Sequence, residues 1–239
     1  MKKVVIIPTY NERENIVRMI HRVMSDPLGF DLLIVDDGSP DGTADLVKIE
    51  QKEFTERLHI LEREGKLGLG TAYIAGFKFA LEHGYDRVFE MDCDFSHNPD
   101  DLTRLDAMLE DRDVAIGSRY SKGVNVVNWP IGRVLMSYYA SAYVRTVLGI
   151  KLRDTTAGFV CWTRKVLETM SLDDVRFKGY AFQIEMKYTA LRLGFKIKEV
   201  PVVFVNRELG TSKMSGGIFS EALFGVMRLR MTNFKRRKA

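Results

Sequence analysis

The segment LLIVDDGSPDG, residues 32–42, carries the pattern that decides the fold. Its first four residues are all apolar, and two aspartates, a glycine and a proline come soon afterwards. A short apolar run that ends in turn residues is typical of a strand buried on both faces, as the strands of parallel sheets are. The segment therefore predicts a buried strand, Leu32–Val35, with a polar loop at its carboxyl end.

The same arrangement recurs along the first half of the chain, where apolar runs alternate with segments of helical periodicity. Strands are predicted at Val4–Ile7, Leu32–Val35, His59–Leu61, Arg87–Met91 and Val114–Gly117. Helices are predicted at Asn15–Met24, Thr43–Phe54, Thr71–His83 and Pro99–Leu109. This alternation indicates an α/β fold with a mostly parallel central sheet flanked by helices, and such sheets bind ligands at the carboxyl edge of their strands.

The second half of the chain is less regular. The pattern predicts a helix at Ile131–Leu148, a loop at Arg153–Phe159, a helix at Phe182–Leu193 and a strand at Ile197–Val205. Residues 210–217 are polar and glycine-rich, residues 217–234 have the apolar spacing of an amphipathic helix, and a basic run follows at 235–238. We expect residues 1–239 to form a single domain, with residues 217–239 as a candidate membrane contact; a core helix with a basic tail explains that segment equally well.

Composition excludes several classes of protein. With 46% hydrophobic and 28% charged residues, the 239-residue chain is neither disordered nor a coiled coil. Its 36 basic and 32 acidic residues give a net charge of +4, which is too small to indicate nucleic acid binding. The two cysteines have no C-x-x-C spacing, so a disulfide scaffold and a structural zinc site are not expected, and a reducing cytoplasm is. The uncharged runs are too short for a signal peptide or a membrane span.

Two carboxylates follow the predicted strand Arg87–Met91. Asp92 and Asp94 are two residues apart, and such residues point the same way in an extended chain. Oxygen ligands on one side suit Mg²⁺ or Mn²⁺, which leave their other positions to water and phosphate. Taken alone, this D-x-D pattern fits an ordinary surface turn equally well.

Other polar residues follow the remaining strands in the same way. Asp36 and Asp37 can accept hydrogen bonds from a ribose or a base, Tyr10 can stack on a base, and Glu12 can accept from either. Basic side chains suited to phosphate follow later, and Lys66 precedes a helix in a glycine-rich loop from which it can reach a nucleotide. These later basic residues are Arg119, Arg133, Arg207 and Lys213. Each of them alone is also compatible with a solvated surface charge.

Seven motifs taken together resemble the inverting family 2 glycosyltransferases with the GT-A fold. Within that family the chain resembles the dolichyl- or polyprenyl-phosphate mannose synthases, and the match extends from residue 3 to about residue 230. The motifs are IPTYNE (7–12), VDDGSPDG (35–42), KLGLGTAY (66–73), DCDFSH (92–97), GSRY (117–120), GYAFQIEM (179–186) and RELGTSKM (207–214). No one of them is specific, but the ordered combination is.

The resemblance implies a role for particular residues. Positions that hold the guanosine part of GDP-mannose in the family match Pro8, Tyr10, Glu12, Val35 and Asp37. Asp92 and Asp94 match the ligands of the metal ion and diphosphate, with Cys93 between them at a donor-contacting position. The loop that closes on the donor matches Arg207 and Lys213, and positions near the acceptor phosphate match Arg119, Arg133 and Ser137. Relatives usually carry alanine where Cys93 stands, and some carry a glutamine metal ligand where Ser96 stands.

The activity implied by the resemblance is inverting transfer of mannose from GDP-mannose to a polyprenyl (dolichyl-type) monophosphate, assisted by Mg²⁺ or Mn²⁺. A lipid acceptor implies a protein on the cytoplasmic face of a membrane, held by the lipid surface or by a membrane-anchoring partner. The nearest alternative is a polyprenyl-phosphate glycosyltransferase that uses UDP-glucose or another nucleotide sugar. A nucleic-acid-binding module is disfavoured because the basic residues are dispersed. A catalytically dead subunit is disfavoured because Asp92 and Asp94 are both present.

Overall fold

A seven-stranded sheet forms the centre of the molecule in the computed structural model, which describes residues 1–179, 181–207 and 225–232. The strands are β1 (Lys3–Thr9), β2 (Asp31–Asp36), β3 (Leu58–Glu62), β4 (Arg87–Glu90), β5 (Val114–Ser118), β7 (Val160–Thr163) and β8 (Ile197–Pro201). A separate two-stranded sheet pairs β6 (Val126–Val127) with β9 (Phe204–Val205).

Helices cover both faces of the central sheet. They are α1 (Ile16–Met24), α2 (Thr43–Glu50), α3 (Leu69–Glu82), α4 (Asp101–Met108), α5 (Ile131–Leu148), α6 (Arg164–Thr169) and α7 (Ala181–Arg192), with a 3-10 turn at Leu172–Asp174. Residues 225–230 are also helical. The predicted helices agree with these bounds to within about two residues, except that α2 ends at Glu50 rather than Phe54.

The sheet order is β3-β2-β1-β4-β7-β5-β8, and only β7 among these strands runs against the others. Side chains on β1 alternate between two apolar layers: Val4 and Ile6 face one layer, and Val5 and Ile7 face the other. Because both faces are buried, the strand needs an uninterrupted apolar sequence rather than an alternating one. The mostly parallel α/β sheet predicted from the sequence is therefore confirmed.

The second half differs from the sequence prediction in several places, and the short elements β6 and α6 have no counterpart in it. β7 was not predicted; it lies antiparallel between β4 and β5, with Cys161 paired to Phe89 on one side and Ala115 on the other. The single strand predicted at Ile197–Val205 is wrong, because β8 ends at Pro201 and the chain then joins the small sheet. Proline has no N–H to continue a ladder, which explains the break.

The contact between α3 and β1 generates a prediction about stability. A Cβ at Gly76 would lie 2.7 Å from Ile6 Cγ2, an atom buried between helix and sheet. We expect Gly76→Ala to lower the free energy of unfolding by about 1–3 kcal/mol, as overpacking a core does. Urea unfolding followed by tryptophan fluorescence measures this change.

The matched control is Gly132→Ala in the first turn of α5, where nothing lies within 4 Å of the added Cβ. Alanine restricts the unfolded chain, so this variant should be neutral or gain roughly 0.4–1 kcal/mol. Equal unfolding curves for the two variants would contradict the packing argument.

Candidate active site

A cavity of about 530 Å³ opens at the carboxyl edge of the central sheet, where β4 and β5 end. It brings together six residues that the sequence analysis singled out for the metal, the donor loop and the acceptor phosphate. They are Asp92, Asp94, Arg119, Arg133, Ser137 and Arg207. Acidic and basic side chains that are far apart in the sequence thus face a common space.

The two aspartates after β4 differ in their surroundings. Asp94 is nearly buried, and its Oδ1 accepts hydrogen bonds from the Ser96 backbone N–H at 3.1 Å and the Ser96 hydroxyl at 2.5 Å. Its Oδ2 lies 3.1 Å from the Arg207 guanidinium. Asp92 keeps 39% of its side chain exposed to the cavity. Burial raises the pKa of Asp92, and the neighbouring Asp94 carboxylate adds to the rise.

These carboxylates are chemically suited to a divalent cation. Both present hard oxygen donors, and the like charges of Asp92 and Asp94 raise the free energy of the ionised pair unless a cation lies nearby. Arg207 supplies one positive charge beside Asp94. Ser96 donates to Asp94 and so orients that carboxylate. The donor set therefore fits Mg²⁺ or Mn²⁺.

His97 supports the loop that carries Asp92 and Asp94. The Asp92 backbone N–H donates to His97 Nδ1 at 3.2 Å, so the ring proton is on Nε2. Burial lowers the pKa of His97, which keeps the ring neutral and able to accept this bond. The ring stacks on Phe159 at a centroid distance of 5.0 Å and meets the edge of Phe204 at 5.2 Å. We infer that His97 positions Asp92.

A buried ion pair holds Arg119, which follows β5. Its Nε donates to Asp154 Oδ2 at 2.7 Å and its Nη2 to Asp154 Oδ1 at 2.6 Å. The Arg119 backbone N–H donates to the same carboxylate at 2.8 Å, and Nη2 also reaches Thr156 Oγ1 at 2.9 Å. Burial alone would raise the pKa of Asp154, but the Arg119 guanidinium outweighs it and the pKa lies below its usual value.

Lys187 of α7 anchors the loop that carries Asp154. Lys187 Nζ is buried and donates to the carbonyl oxygens of Thr155 at 3.1 Å and Ala157 at 2.5 Å. Burial lowers the pKa of Lys187 and raises that of the nearby Glu90 at the end of β4, and the attraction between the two opposes both shifts. A fixed loop therefore presents Asp154 to Arg119.

Arg133 and Ser137 project from α5 into the same cavity. The Arg133 guanidinium lies 4.0 Å from the centroid of the Trp129 ring, and its Nη1 donates to Asn206 Oδ1 at 3.0 Å. Arg119 lies over the same indole at 5.7 Å. Both guanidinium groups thus lie near the Trp129 ring, and cation–π attraction to it offsets part of their mutual repulsion.

The residues expected to hold the nucleoside lie at the neighbouring ends of β1 and β2. Pro8 pairs with Val35 in the sheet register, and Lys66 Nζ lies 5.1 Å from the Tyr10 ring centroid. Asp37 is bound by Arg63, whose Nε donates to Asp37 Oδ1 at 2.7 Å. Burial raises the pKa of Asp37, and Arg63 opposes the rise.

Other residues from the sequence analysis take different places. Both carboxylate oxygens of Asp36 accept bonds within the molecule, from Thr9 and Ser39, so Asp36 ties β1 to the turn after β2. The Cys93 side chain packs into one apolar layer of the core. Glu12 lies half-buried after β1, and its backbone N–H donates to Thr43 Oγ1 at 3.0 Å. Lys213 and most of residues 217–239 lie outside the described residues.

Comparison with known proteins decides the family, because the sequence profile of Glycosyl transferase family 2 matches residues 4–176. The chain belongs to glycosyl transferase family 2. It is 47% identical over 226 residues to a polyprenol monophosphomannose synthase of Mycolicibacterium smegmatis, covering 94% of this chain and 85% of that one. It is 46% identical to an undecaprenyl-phosphate mannosyltransferase of Micrococcus luteus, covering 95% and 93%.

Solved structures agree on the fold of this family 2 glycosyltransferase. Glucosyl-3-phosphoglycerate synthase from Mycobacterium tuberculosis, solved with UDP, superposes with a TM-score of 0.67 at 20% identity and covers 96% of this chain and 79% of that chain. A mannosyltransferase from Pyrobaculum calidifontis, in complex with GDP-Man and Mn²⁺, superposes with a TM-score of 0.59 at 18% identity, covering 96% and 62%. The expected GT-A fold is confirmed.

Three supporting residues of the glycosyltransferase site were not singled out from the sequence. Asp154 is a lone aspartate in a loop, Trp129 precedes a helix, and Lys187 lies in the interior of α7. Only the combination of an aspartate with two threonines before a glycine, DTTAG (154–158), hints at a built loop. In the described parts of the chain, the helices lack either the length or the apolar character that crossing a bilayer requires.

Replacing Asp154 tests the anchoring of Arg119. Asp154→Asn keeps the shape but removes the charge, so we expect the free energy of unfolding to fall by about 3–5 kcal/mol, as when a buried pair loses one partner. The wild-type contribution is present above the usual Asp pKa of about 3.9 and is lost as pH falls through the lower folded pKa. Urea unfolding at several pH values measures both effects.

Asp111→Asn is the matched control, because Asp111 is exposed and pairs only with its neighbour Arg112 among the ion pairs of the described residues. That substitution should change the free energy of unfolding by about 1 kcal/mol or less. A similarly small effect of Asp154→Asn would show that Arg119 does not depend on this carboxylate.

Proposed function

We propose that the chain transfers mannose, with inversion, from GDP-mannose to the phosphate of a polyprenyl (dolichyl-type) monophosphate. The observation that carries the proposal is that Asp92, Asp94, Arg119 and Arg133 all line one cavity. A metal-binding carboxylate pair suits a sugar diphosphate, and an arginine pair suits a phosphate acceptor. The names of both relatives at 46–47% identity support the same donor sugar and acceptor class.

The acceptor needs little chemical activation. A phosphate monoester has its second pKa at about 6 and is largely dianionic at neutral pH, so it is already a nucleophile. Arg119 and Arg133 would hold this dianion and orient one oxygen toward the anomeric carbon, with Ser137 beside them. His97 is neutral, and its Nδ1 accepts a backbone bond, so it is a support for Asp92 rather than the base of the reaction.

The leaving group is where charge develops during transfer. A divalent ion held by Asp92 and Asp94, either Mg²⁺ or Mn²⁺, supplies Lewis-acid stabilisation of a diphosphate when bound. Arg207 lies beside Asp94 and adds a positive charge on the same side of the cavity. Charge-assisted stabilisation at both poles lets the sugar pass through an oxocarbenium-like state between them.

The nucleoside end rests on the loops after β1 and β2. We assign Pro8, Tyr10, Glu12, Val35 and Asp37 to the guanosine of the donor, with Lys66 beside the Tyr10 ring. Cys93, Arg207 and Lys213 complete the donor set in this proposal. We further propose that residues 1–239 act as one catalytic unit on the cytoplasmic face of a membrane, where the acceptor lipid is embedded, with residues 217–239 as a membrane contact.

A transfer assay tests the proposal directly. Purified protein, Mg²⁺ or Mn²⁺ and a detergent-solubilised polyprenyl phosphate are mixed with radiolabelled GDP-mannose or, separately, UDP-glucose. We expect label to enter the organic phase from GDP-mannose only. Label from UDP-glucose alone would keep the glycosyltransferase and overturn the donor, and label from neither would overturn the acceptor class.

Within that assay, Asp92→Ala examines the metal site. Loss of this carboxylate should reduce turnover by roughly 10³-fold or more at every metal concentration, since stabilisation of the leaving group is lost. Asp111→Ala removes an exposed carboxylate and should leave turnover unchanged. Normal activity of Asp92→Ala would rule out its assignment as a metal ligand.

Arg133→Gln examines the acceptor side. Of the two reactants, Arg133 would contact only the acceptor phosphate. The KM for polyprenyl phosphate should therefore rise by about tenfold to a hundredfold, which is the cost of one charged hydrogen bond. The KM for GDP-mannose should stay within about twofold. The control is Arg112→Gln, which replaces a half-buried arginine that pairs with its neighbour Asp111. A rise in the KM for GDP-mannose instead would move Arg133 to the donor side.

A further inference from the structure

A second groove, of about 790 Å³, lies on the other side of α5 from the catalytic cavity. Its walls come from α5 and from the loops before and after that helix. They are Tyr120, Gly123, Val124, Val134, Leu135, Tyr138, Tyr139, Arg145, Ile150, Lys151 and Arg153. Tyr139 lines both spaces, so the groove and the catalytic cavity share a wall. Arg119, Arg133 and Ser137 line only the catalytic cavity.

One end of this groove is cationic. Arg145, Lys151 and Arg153 line it, and the described lining includes no aspartate or glutamate. Two carboxylates lie next to this end and are already bound: Asp154 pairs with Arg119, and Glu199 accepts from the backbone N–H groups of Arg153 and Asp154 at 2.9 and 2.8 Å. Three positive charges gathered in this way attract an anion.

The cationic end is also ordered. Arg145 Nη1 donates to the Arg153 carbonyl oxygen at 2.9 Å, and its guanidinium lies 6.0 Å from the Tyr138 ring centroid. These contacts hold the guanidinium in place and leave other N–H donors of Arg145 for a ligand, because a guanidinium has five. Fixed donors reduce the entropy lost when an anion binds.

The remainder of the groove is apolar. Val124, Val134, Leu135 and Ile150 contribute to it, and Tyr138 adds an aromatic ring with a polar tip. The same side of the molecule carries exposed apolar residues on the first turns of α5, among them Ile131 at 73% and Leu135 at 47% exposure. An anion that fits such a groove has a charged head and an apolar body, and a free phosphate lacks the second part.

We propose that this groove binds the phosphate headgroup of an anionic membrane phospholipid. The inference rests on the proposed function, since a lipid acceptor places the enzyme at a bilayer. A phospholipid held here would lay the start of α5 on the membrane surface, with Tyr139 between the bound lipid and the catalytic cavity. An acceptor phosphate at the headgroup level would then lie on the side of α5 that carries Arg133 and Ser137.

Sedimentation with vesicles tests the proposal. The full chain is mixed with vesicles of pure phosphatidylcholine or of phosphatidylcholine with phosphatidylglycerol, and the bound fraction is measured. The test variant is Lys151→Gln/Arg153→Gln, and the charge-matched control is Lys48→Gln/Lys52→Gln in and after α2. Because each basic residue near an anionic surface strengthens partitioning by roughly fivefold, the test variant should bind phosphatidylglycerol about 30-fold more weakly.

The control should bind as the wild type does, and phosphatidylcholine alone should bind neither variant well. Equal binding of the test variant and the control would overturn the proposal, because the basic run at 235–238 is present in both. Inorganic phosphate that binds at the groove without any preference for phosphatidylglycerol vesicles would overturn the lipid as its source. Photoactivatable phosphatidylglycerol should label peptides within residues 120–153, and labelling confined to residues 217–239 would also overturn it.

Activity separates this inference from the proposed function. The double variant should retain the wild-type rate on detergent-solubilised polyprenyl phosphate, because Lys151 and Arg153 do not line the catalytic cavity. Its rate on acceptor embedded in phosphatidylglycerol vesicles should fall in step with its binding. Inactivity of the wild type in detergent would count against the proposed function. Binding to vesicles would then still decide whether the groove takes a phospholipid headgroup.

Discussion

The buried pair of Arg119 and Asp154 is the interaction on which the site depends. Arg119 follows β5, and Asp154 precedes β7, the strand inserted antiparallel between β4 and β5. Their bidentate contact therefore joins the end of one strand to the entry of its neighbour. Such a pair adds little net stability compared with apolar packing, but losing one partner leaves a charge buried. Its value here is geometric, since it aims a guanidinium into the cavity.

The acidic and basic side chains that line the cavity have separate supports. Asp92 and Asp94 are oriented by His97 and Ser96, which belong to the same short segment. Arg119 is oriented by Asp154, far along the chain, and Arg133 by Trp129 and Asn206. The contacts of the aspartates with His97 and Ser96 are thus local, whereas the ion pair of Asp94 with Arg207 and the contacts of Arg119 and Arg133 are tertiary. A transferase that brings a metal diphosphate to a phosphate needs both groups of side chains fixed at once, because the two reactants must meet in one orientation.

How much could be predicted from the sequence follows the same division between local and tertiary contacts. Strands with uninterrupted apolar runs, such as residues 4–7 and 32–35, were located because burial on both faces leaves a plain signal. The acidic pair was found because its neighbours in sequence are its neighbours in space. β7 was missed because four residues are too few to show a periodic pattern. Its antiparallel placement also depends on both adjacent strands. Asp154 was missed because its partner, Arg119, is 35 residues away in the sequence.

The helix α5 is exposed or half-buried over most of its length. Of its 18 residues, only Ser141, Val144 and Leu148 are buried, so the described protein covers little more than its last turns. Helices in globular proteins gain most of their stability from packing an apolar face, but Ile131, Leu135 and Met136 in the first turns of α5 are exposed. A lipid with a charged head would cover the exposed apolar side chains beside Arg133 and Ser137. On the proposed function, the same lack of burial that is costly in water would leave Arg133 and Ser137 within reach of the head of an embedded lipid.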